Sequence, residues 1–221
     1  MPRHARIVVP GALHHITQRG NFRADVFFDD SDRIFFLENL VEYATLANVE
    51  IASHCLMTNH THLLLIPNDP LGLGKALKPL HMRYSQRLNY RYKRYGLNWQ
   101  GRFFSSPLDD AHAWCAYRYV AENPKRAKMV ENIKDYPWSS AKDHLLNRRS
   151  EYLSASDEWL SKAHRALDPK SSKILTLEHV EMIRRNTFMN LPTGSPEFIK
   201  QLEARFGCHL SFRPRGRPRK G

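Results

Sequence analysis

The sequence predicts an α+β protein: a ferredoxin-like (split βαβ) sandwich with an antiparallel sheet, one added helix and a small, basic, helical C-terminal extension. Three observations carry this. Hydrophobic periodicity runs in the order β, α, β, β, α, β, α through the first part of the chain. Thr58 and Asn59 separate two apolar-rich runs, which is a hairpin signal. Asp109 or Asp110 can cap a further helix whose continuation Pro124 disfavours.

Residues 12–19 read as the first strand, closed by Gly20 and Asn21. Residues 31–48 repeat Ile34, Leu37, Leu40, Val41 and Leu46 at helical spacing. The hairpin strands follow at 50–57 and 60–66. A long helix over 71–95 contains Pro79, which should kink or split it. Residues 102–107 are short and aromatic enough for a strand, and the added helix runs on to Asn123. After Asp135, Tyr136, Pro137 and Trp138 the composition turns polar to about Ser172 and suggests peripheral helix and linker. Ser195, Pro196 and Gly207 bracket a last helix: cap, first-turn proline, terminating glycine. The expected division is therefore a domain over 1–145, a linker with a peripheral helix over 146–174, and a helical extension over 175–221.

Charge points to the partner. The chain has 221 residues and a formal net charge of +12. Between Pro70 and Leu108 there is no acid, while Lys75, Lys78, Arg83, Arg87, Arg91, Lys93, Arg94 and Arg102 contribute +8. From Arg205 to the end six more cations again meet no acid, so the rest of the chain carries −2. Positive charge confined to two segments is the footprint of phosphate contacts. Tyr84, Tyr90, Tyr92, Tyr95 and Trp99 are interleaved with the first segment; one or two of these rings should be core and the others free to stack on unpaired bases. Residues 213–220 alternate Arg with Pro and Gly, cannot build a core, and should be disordered when free. Cys55, Cys115 and Cys208 are odd in number and widely spaced, which favours a reducing compartment; no apolar signal core or membrane-length run is present, and the expected location is cytoplasmic, with the nucleoid.

The chemical constellation has two parts. His60, Thr61 and His62 lie on an expected strand, so period two puts both imidazoles on one face, half of a divalent metal site. Tyr119 sits on the added helix with Asn123 four residues on and so on the same face, where Asn123 could supply an oxygen as the third metal ligand. A phenol with an ordinary pKa of about 10 needs charge neutralisation and a proton acceptor before it attacks phosphorus. Spacing alone does not choose between Tyr119 and Tyr117. A structural zinc site from His54, Cys55, His60 and His62 is compatible by ligand type, though it lacks knuckle spacing.

At these residues the sequence resembles the REP-associated tyrosine transposases, single-tyrosine HUH endonucleases related to insertion-sequence transposases. The resemblance spans about residues 11–144. It rests on His15-Ile16-Thr17-Gln18-Arg19-Gly20-Asn21, Met57-Thr58-Asn59-His60-Thr61-His62-Leu63-Leu64, Trp99-Gln100-Gly101-Arg102-Phe103, Tyr119-Val120-Ala121-Glu122-Asn123-Pro124 and Tyr136-Pro137-Trp138-Ser139-Ser140. It implies Tyr119 as nucleophile, His60, His62 and Asn123 as ligands of Mg²⁺ or Mn²⁺, and single-stranded DNA beside an imperfect REP hairpin as substrate. The implied reaction is nicking and joining through a 5′-phosphotyrosine. The DNA-contacting residues expected are Arg19, Arg83, Arg87, Arg91, Arg94, Arg102, Arg215 and Arg217, the last two in a segment that resembles an AT-hook. Thr61 departs from the bulky apolar residue usual there, which should change packing rather than chemistry. A non-catalytic hairpin-binding protein or repressor on the same fold is the alternative; monomer and homodimer are both compatible with the sequence.

Overall fold

The computed structural model describes residues 6–212; the AT-hook-like segment with Arg215 and Arg217 lies outside them. Four strands, β1 (Leu13–Arg19), β2 (Val49–Leu56), β3 (His60–Pro67) and β4 (Phe104–Leu108), form one sheet in the order β2-β3-β1-β4. Every neighbouring pair is antiparallel. Helix α1 (Asp30–Leu46) connects β1 to β2, and α2 (Gly72–Arg91) connects β3 to β4. This is the split βαβ arrangement expected. The remaining helices are α3 (Asp110–Ala121), α4 (Asn123–Arg126), α5 (Ala141–Leu145), α6 (Asp157–Leu167), α7 (Leu177–Met189) and α8 (Pro196–Phe206).

Alternation along the strands divides the core in two. Ile16, Leu63 and Leu65 face α1 and α2 and pack with Phe36, Leu40, Leu77 and Tyr84. Leu13, Leu64 and Ile66 face the other way and pack with Ala116 and Val120 of α3, Ala163 and Ala166 of α6, and Ile183 of α7. The sheet is thus covered on both faces, and the added helix α3 shares the second face with α6 and α7. The segment expected to be linker and peripheral helix holds α6, which is part of the core: its small buried alanines allow close approach to α3. Helix α7 was not anticipated individually, although Thr176 caps it with a capping box and Asn190 ends it in the left-handed conformation.

Local signals elsewhere behave as their chemistry dictates. Asp109 caps α3 by accepting from the His112 N–H at 2.9 Å, and its other oxygen accepts from the Ser195 N–H at 2.7 Å, tying the start of α8 to α3. Pro124 falls in the first turn of the short helix α4, so Asn123 opens that helix rather than closing α3. Pro79 does not split α2, which is one continuous helix. No helix among the described residues is long and apolar enough to cross a membrane.

Thr61 is fully buried, and its hydroxyl has no hydrogen-bond partner among the described residues. An unpaired buried hydroxyl costs about 1–3 kcal/mol. Thr61→Val, which keeps the shape, is expected to raise stability by about 1 kcal/mol in urea unfolding; a destabilised variant would show the hydroxyl to be satisfied in solution.

Burial also makes the fold sensitive to acid. His15 and His81 are lowered by desolvation to about 3, and His14, His54 and His144 to about 4. In the unfolded chain these groups take up protons near 6.5. Between about pH 6.5 and pH 4 the unfolded state therefore binds more protons, so stability is complete above that window and falls as pH drops through it. Thermal melts from pH 7.5 to 4.5 are expected to show Tm falling steeply below pH 6.5; a flat profile would contradict the burial of neutral imidazoles.

Candidate active site

Register places the site. In the β1–β3 pair Thr17 lies opposite His62 and Arg19 opposite His60, so His15, Thr17 and Arg19 share the α3 face with the two imidazoles. Helix α3 delivers Tyr119 onto this surface. Its ring stands edge-on to His62 and to His15, with centroids at 5.4 Å and 5.3 Å. Tyr119, His60, His62, Asn123 and Arg19 all line one cleft of about 540 Å³. Tyr117 points away: it is buried, donates to the Trp159 carbonyl at 3.2 Å, and burial raises its phenol pKa.

Both strand histidines are neutral imidazoles with a nitrogen to spare. Burial, then repulsion from Arg19 and Arg184, lowers His60 to about 4. His62 is held well below 6.5, mainly by burial and then by His60 and His15. The His60 Nδ1–H donates to Asn59 Oδ1 at 2.7 Å, which leaves the Nε2 lone pair available. His62 Nδ1 meets His15 Nε2 at 2.9 Å, and His15 Nδ1 meets Thr187 Oγ1 at 2.7 Å. If His62 donates to His15 and His15 to Thr187, His62 Nε2 likewise keeps its lone pair. Asn123 Oδ1 accepts from Arg126 at 2.9 Å, whereas its Nδ2 is buried without a partner among the described residues.

Three guanidinium groups surround the phenol. Arg126 lies 4.6 Å from the centre of the Tyr119 ring, and Arg184 donates to the Tyr119 hydroxyl at 3.4 Å. Arg19 completes the group from β1. Burial lowers the pKa of Arg19 and Arg126, but guanidinium groups stay charged in proteins. The cleft therefore combines a neutral ligand pair, a phenol and concentrated positive charge, a combination suited to attack on a phosphodiester.

His15, Arg126, Arg184 and Thr187 were not among the residues picked from the sequence. His15 had a legible signal, since His15, Thr17 and Arg19 alternate on one strand face. For Arg184 and Thr187 the only signal was the cap pattern around α7.

The basic stretch is less free in space than in sequence. Arg91 forms ion pairs with Asp29 and with Asp32, the latter at 2.7 Å, and Arg87 lies 3.8 Å from Asp32. These two cations spend their charge on α1 and its cap. Arg83 donates to the Tyr43 hydroxyl at 3.3 Å, and Arg94 stacks over Phe28 at 4.6 Å. Arg102 is exposed. Of the rings, Tyr84 and Trp99 are core, Tyr92 is bonded to Asp32, and Tyr90 and Tyr95 are open to solvent. The zinc reading is corrected: among the described residues no three His, Cys, Asp or Glu side chains gather as a metal group. Successive residues on β2 face opposite ways; Cys55 packs with Met57, and His54 packs against Tyr152.

A comparison with the curated proteins found no match. Among solved structures, the fold resembles a REP-associated tyrosine transposase bound to a REP hairpin, with a TM-score of 0.53 and 14% identity over 80% of this chain and 99% of the other. The family model described as "Transposase IS200 like" matches residues 9–123, more than half of the chain. That segment contains all four strands, the His60–His62 pair and Tyr119, and on this evidence the chain belongs to the IS200-like transposases, a family of DNA-processing enzymes.

Proposed function

We propose that this chain nicks and rejoins single-stranded DNA beside a palindromic hairpin of the REP type, with Tyr119 as the nucleophile. The observation that carries the reading is the convergence of Tyr119, the His60–His62 pair and the three guanidinium groups in one cleft. Arg126 is also paired with Glu122 at 3.5 Å, but Arg19 and Arg184 still bring positive charge to the phenol, which an anion in the cleft would offset. The hairpin bound to the solved transposase supports the substrate class.

The residues fit a divalent ion. His60 and His62 offer neutral nitrogens. Asn123 is one partner short, because its amide nitrogen is buried unpaired; rotation of the amide would exchange that nitrogen for an oxygen donor. Mg²⁺ or Mn²⁺ held there would act as a Lewis acid on a phosphate oxygen. Tyr119 Oη then bonds to phosphorus as the bond from phosphorus to the 3′ oxygen breaks. The phenol proton passes to solvent, and the departing 3′ oxygen takes a proton from solvent. A 5′-phosphotyrosine and a free 3′-hydroxyl result, and reversal with another 3′ end joins strands. Bond energy is retained in the phosphotyrosine, so no nucleotide cofactor is required. Arg19, Arg126 and Arg184 stabilise the charge on the phosphate and on the phenolate.

End-labelled hairpin DNA with a single-stranded flank, incubated with Mn²⁺ or Mg²⁺, is expected to give a protein–DNA adduct on a denaturing gel that EDTA abolishes. Tight binding to several such hairpins with neither nick nor adduct would replace this reading by a binding protein or repressor on the same fold.

A further inference from the structure

Next to the cleft, the chain places an aromatic side chain where folding energetics disfavour it. Phe22 is 92% exposed and has φ 51°, in the left-handed region that bulky side chains avoid. Arg23 follows at φ 61°. This turn (Asn21–Arg23) is pinned on all sides. The Gly20 N–H donates to the Asn59 carbonyl at 2.8 Å, the Asn21 N–H to the Asn98 carbonyl at 2.8 Å, and Asn59 Nδ2 to the Arg23 carbonyl at 3.0 Å. Gly20 is obligatory, because a Cβ there would sit 2.1 Å from the Ala24 carbonyl oxygen. A rigid turn that holds a ring in solvent in a disfavoured conformation is pre-organised for contact.

A second loop faces the same shallow concavity with Tyr95, 99% exposed, and Leu97, 81% exposed. Lys93, itself at φ 49°, and Arg94 supply positive charge, and Asp25 one negative charge. Both loops continue directly from the cleft. Gly20 follows Arg19, and the Gln100 N–H bonds to the Arg19 carbonyl at 2.9 Å. Asn59 joins the two places, since the residue that holds the Phe22 turn also accepts from His60.

We propose that Phe22 and Tyr95 form a stacking platform for unpaired DNA bases next to the phosphate held in the Tyr119 cleft. The proposal rests on the function proposed above. Aromatic faces with neighbouring cations suit bases on a phosphate backbone, and continuity with a cleft rich in guanidinium favours the strand over an apolar protein partner. Phe22 and Tyr95 fix the strand's path, while Lys93 and Arg94 neutralise its phosphates.

The test measures binding of the full chain to fluorescent hairpin oligonucleotides with single-stranded flanks, intact or with an abasic site stepped through the flank. Phe22→Ala is expected to weaken binding about tenfold, with the salt slope and Tm unchanged. Phe22→Trp is expected to bind like wild type. One abasic position is expected to cost wild type about the same factor and to cost Phe22→Ala nothing further, as stacking partners require. Equal affinity of Phe22→Ala and wild type, additive losses at every abasic position, or loss of binding to a protein partner with DNA affinity intact would overturn the platform alone. If wild type bound no such strand, the proposed function would fail with it.

Discussion

Tyr119→Phe is expected to leave no detectable protein–DNA adduct, a loss of about 10⁴-fold or more in the chemical step, because phenylalanine has no atom that can bond to phosphorus. Tyr117→Phe is expected to form the adduct at a rate close to wild type. Tyr117 is turned from the cleft and donates to the Trp159 carbonyl between α3 and α6. Its loss removes one buried hydrogen bond, so stability should fall by about 1 kcal/mol, or a few degrees in Tm. The denaturing gel reads the chemistry and the melt reads the packing. An adduct lost only in Tyr117→Phe would reverse the assignment, and one that survives in both would place the nucleophile elsewhere.

Thr187→Val is expected to lower Mn²⁺ affinity by less than the roughly 10- to 100-fold usual for losing the direct partner of a metal-binding histidine, about 3- to 10-fold, because Thr187 acts on His62 only through His15. Valine matches threonine in shape but cannot accept from His15 Nδ1, so the hydrogen bonds that orient His15 and, through it, His62 are lost. Thr187→Ser keeps the hydroxyl and should retain affinity. Titration of Mn²⁺ by electron paramagnetic resonance reads binding without DNA or turnover. Equal affinity in all three proteins would show that His62 needs no support from α7, or that it is not a ligand.

How much of this was legible in the sequence depends on the range of the interaction. Period-two alternation puts His60 and His62 on one face whatever surrounds them, because side-chain direction in a strand is a local property. The cap at Asp109, the first-turn proline at Pro196 and the left-handed end at Gly207 are equally local, and the structure has all three. The choice between Tyr117 and Tyr119 was open in the sequence, since two residues on a helix face nearly opposite ways and either could meet the sheet. Packing of α6 against one side of α3 separates the two environments.

Charge shows the same division. The stretch from Lys75 to Arg102 is free of acid in sequence, yet Asp29 and Asp32, some sixty positions earlier, neutralise much of the charge of Arg91 and Arg87. Composition counts charges along the chain, whereas electrostatics depends on distance in space. Phe22 makes the point from the other side: its residue type suggests burial, and only the turn's hydrogen bonds to Asn59 and Asn98 hold it in solvent.

The sequence by itself determined the order of elements as far as α3, the shared face of His60 and His62, and the concentration of positive charge that points to a polyanionic partner, because these follow from spacing of two to four residues and from composition. Tertiary structure alone decided which tyrosine meets the histidines and which arginines are paired with carboxylates. It also decided that α7, beyond the segment the family model matches, supplies Arg184 and Thr187 to the cleft. The contact between His15 and Thr187 spans 172 positions. No local periodicity encodes such a contact; it exists because both faces of one sheet had to be covered, and α7 covers the end where the site lies.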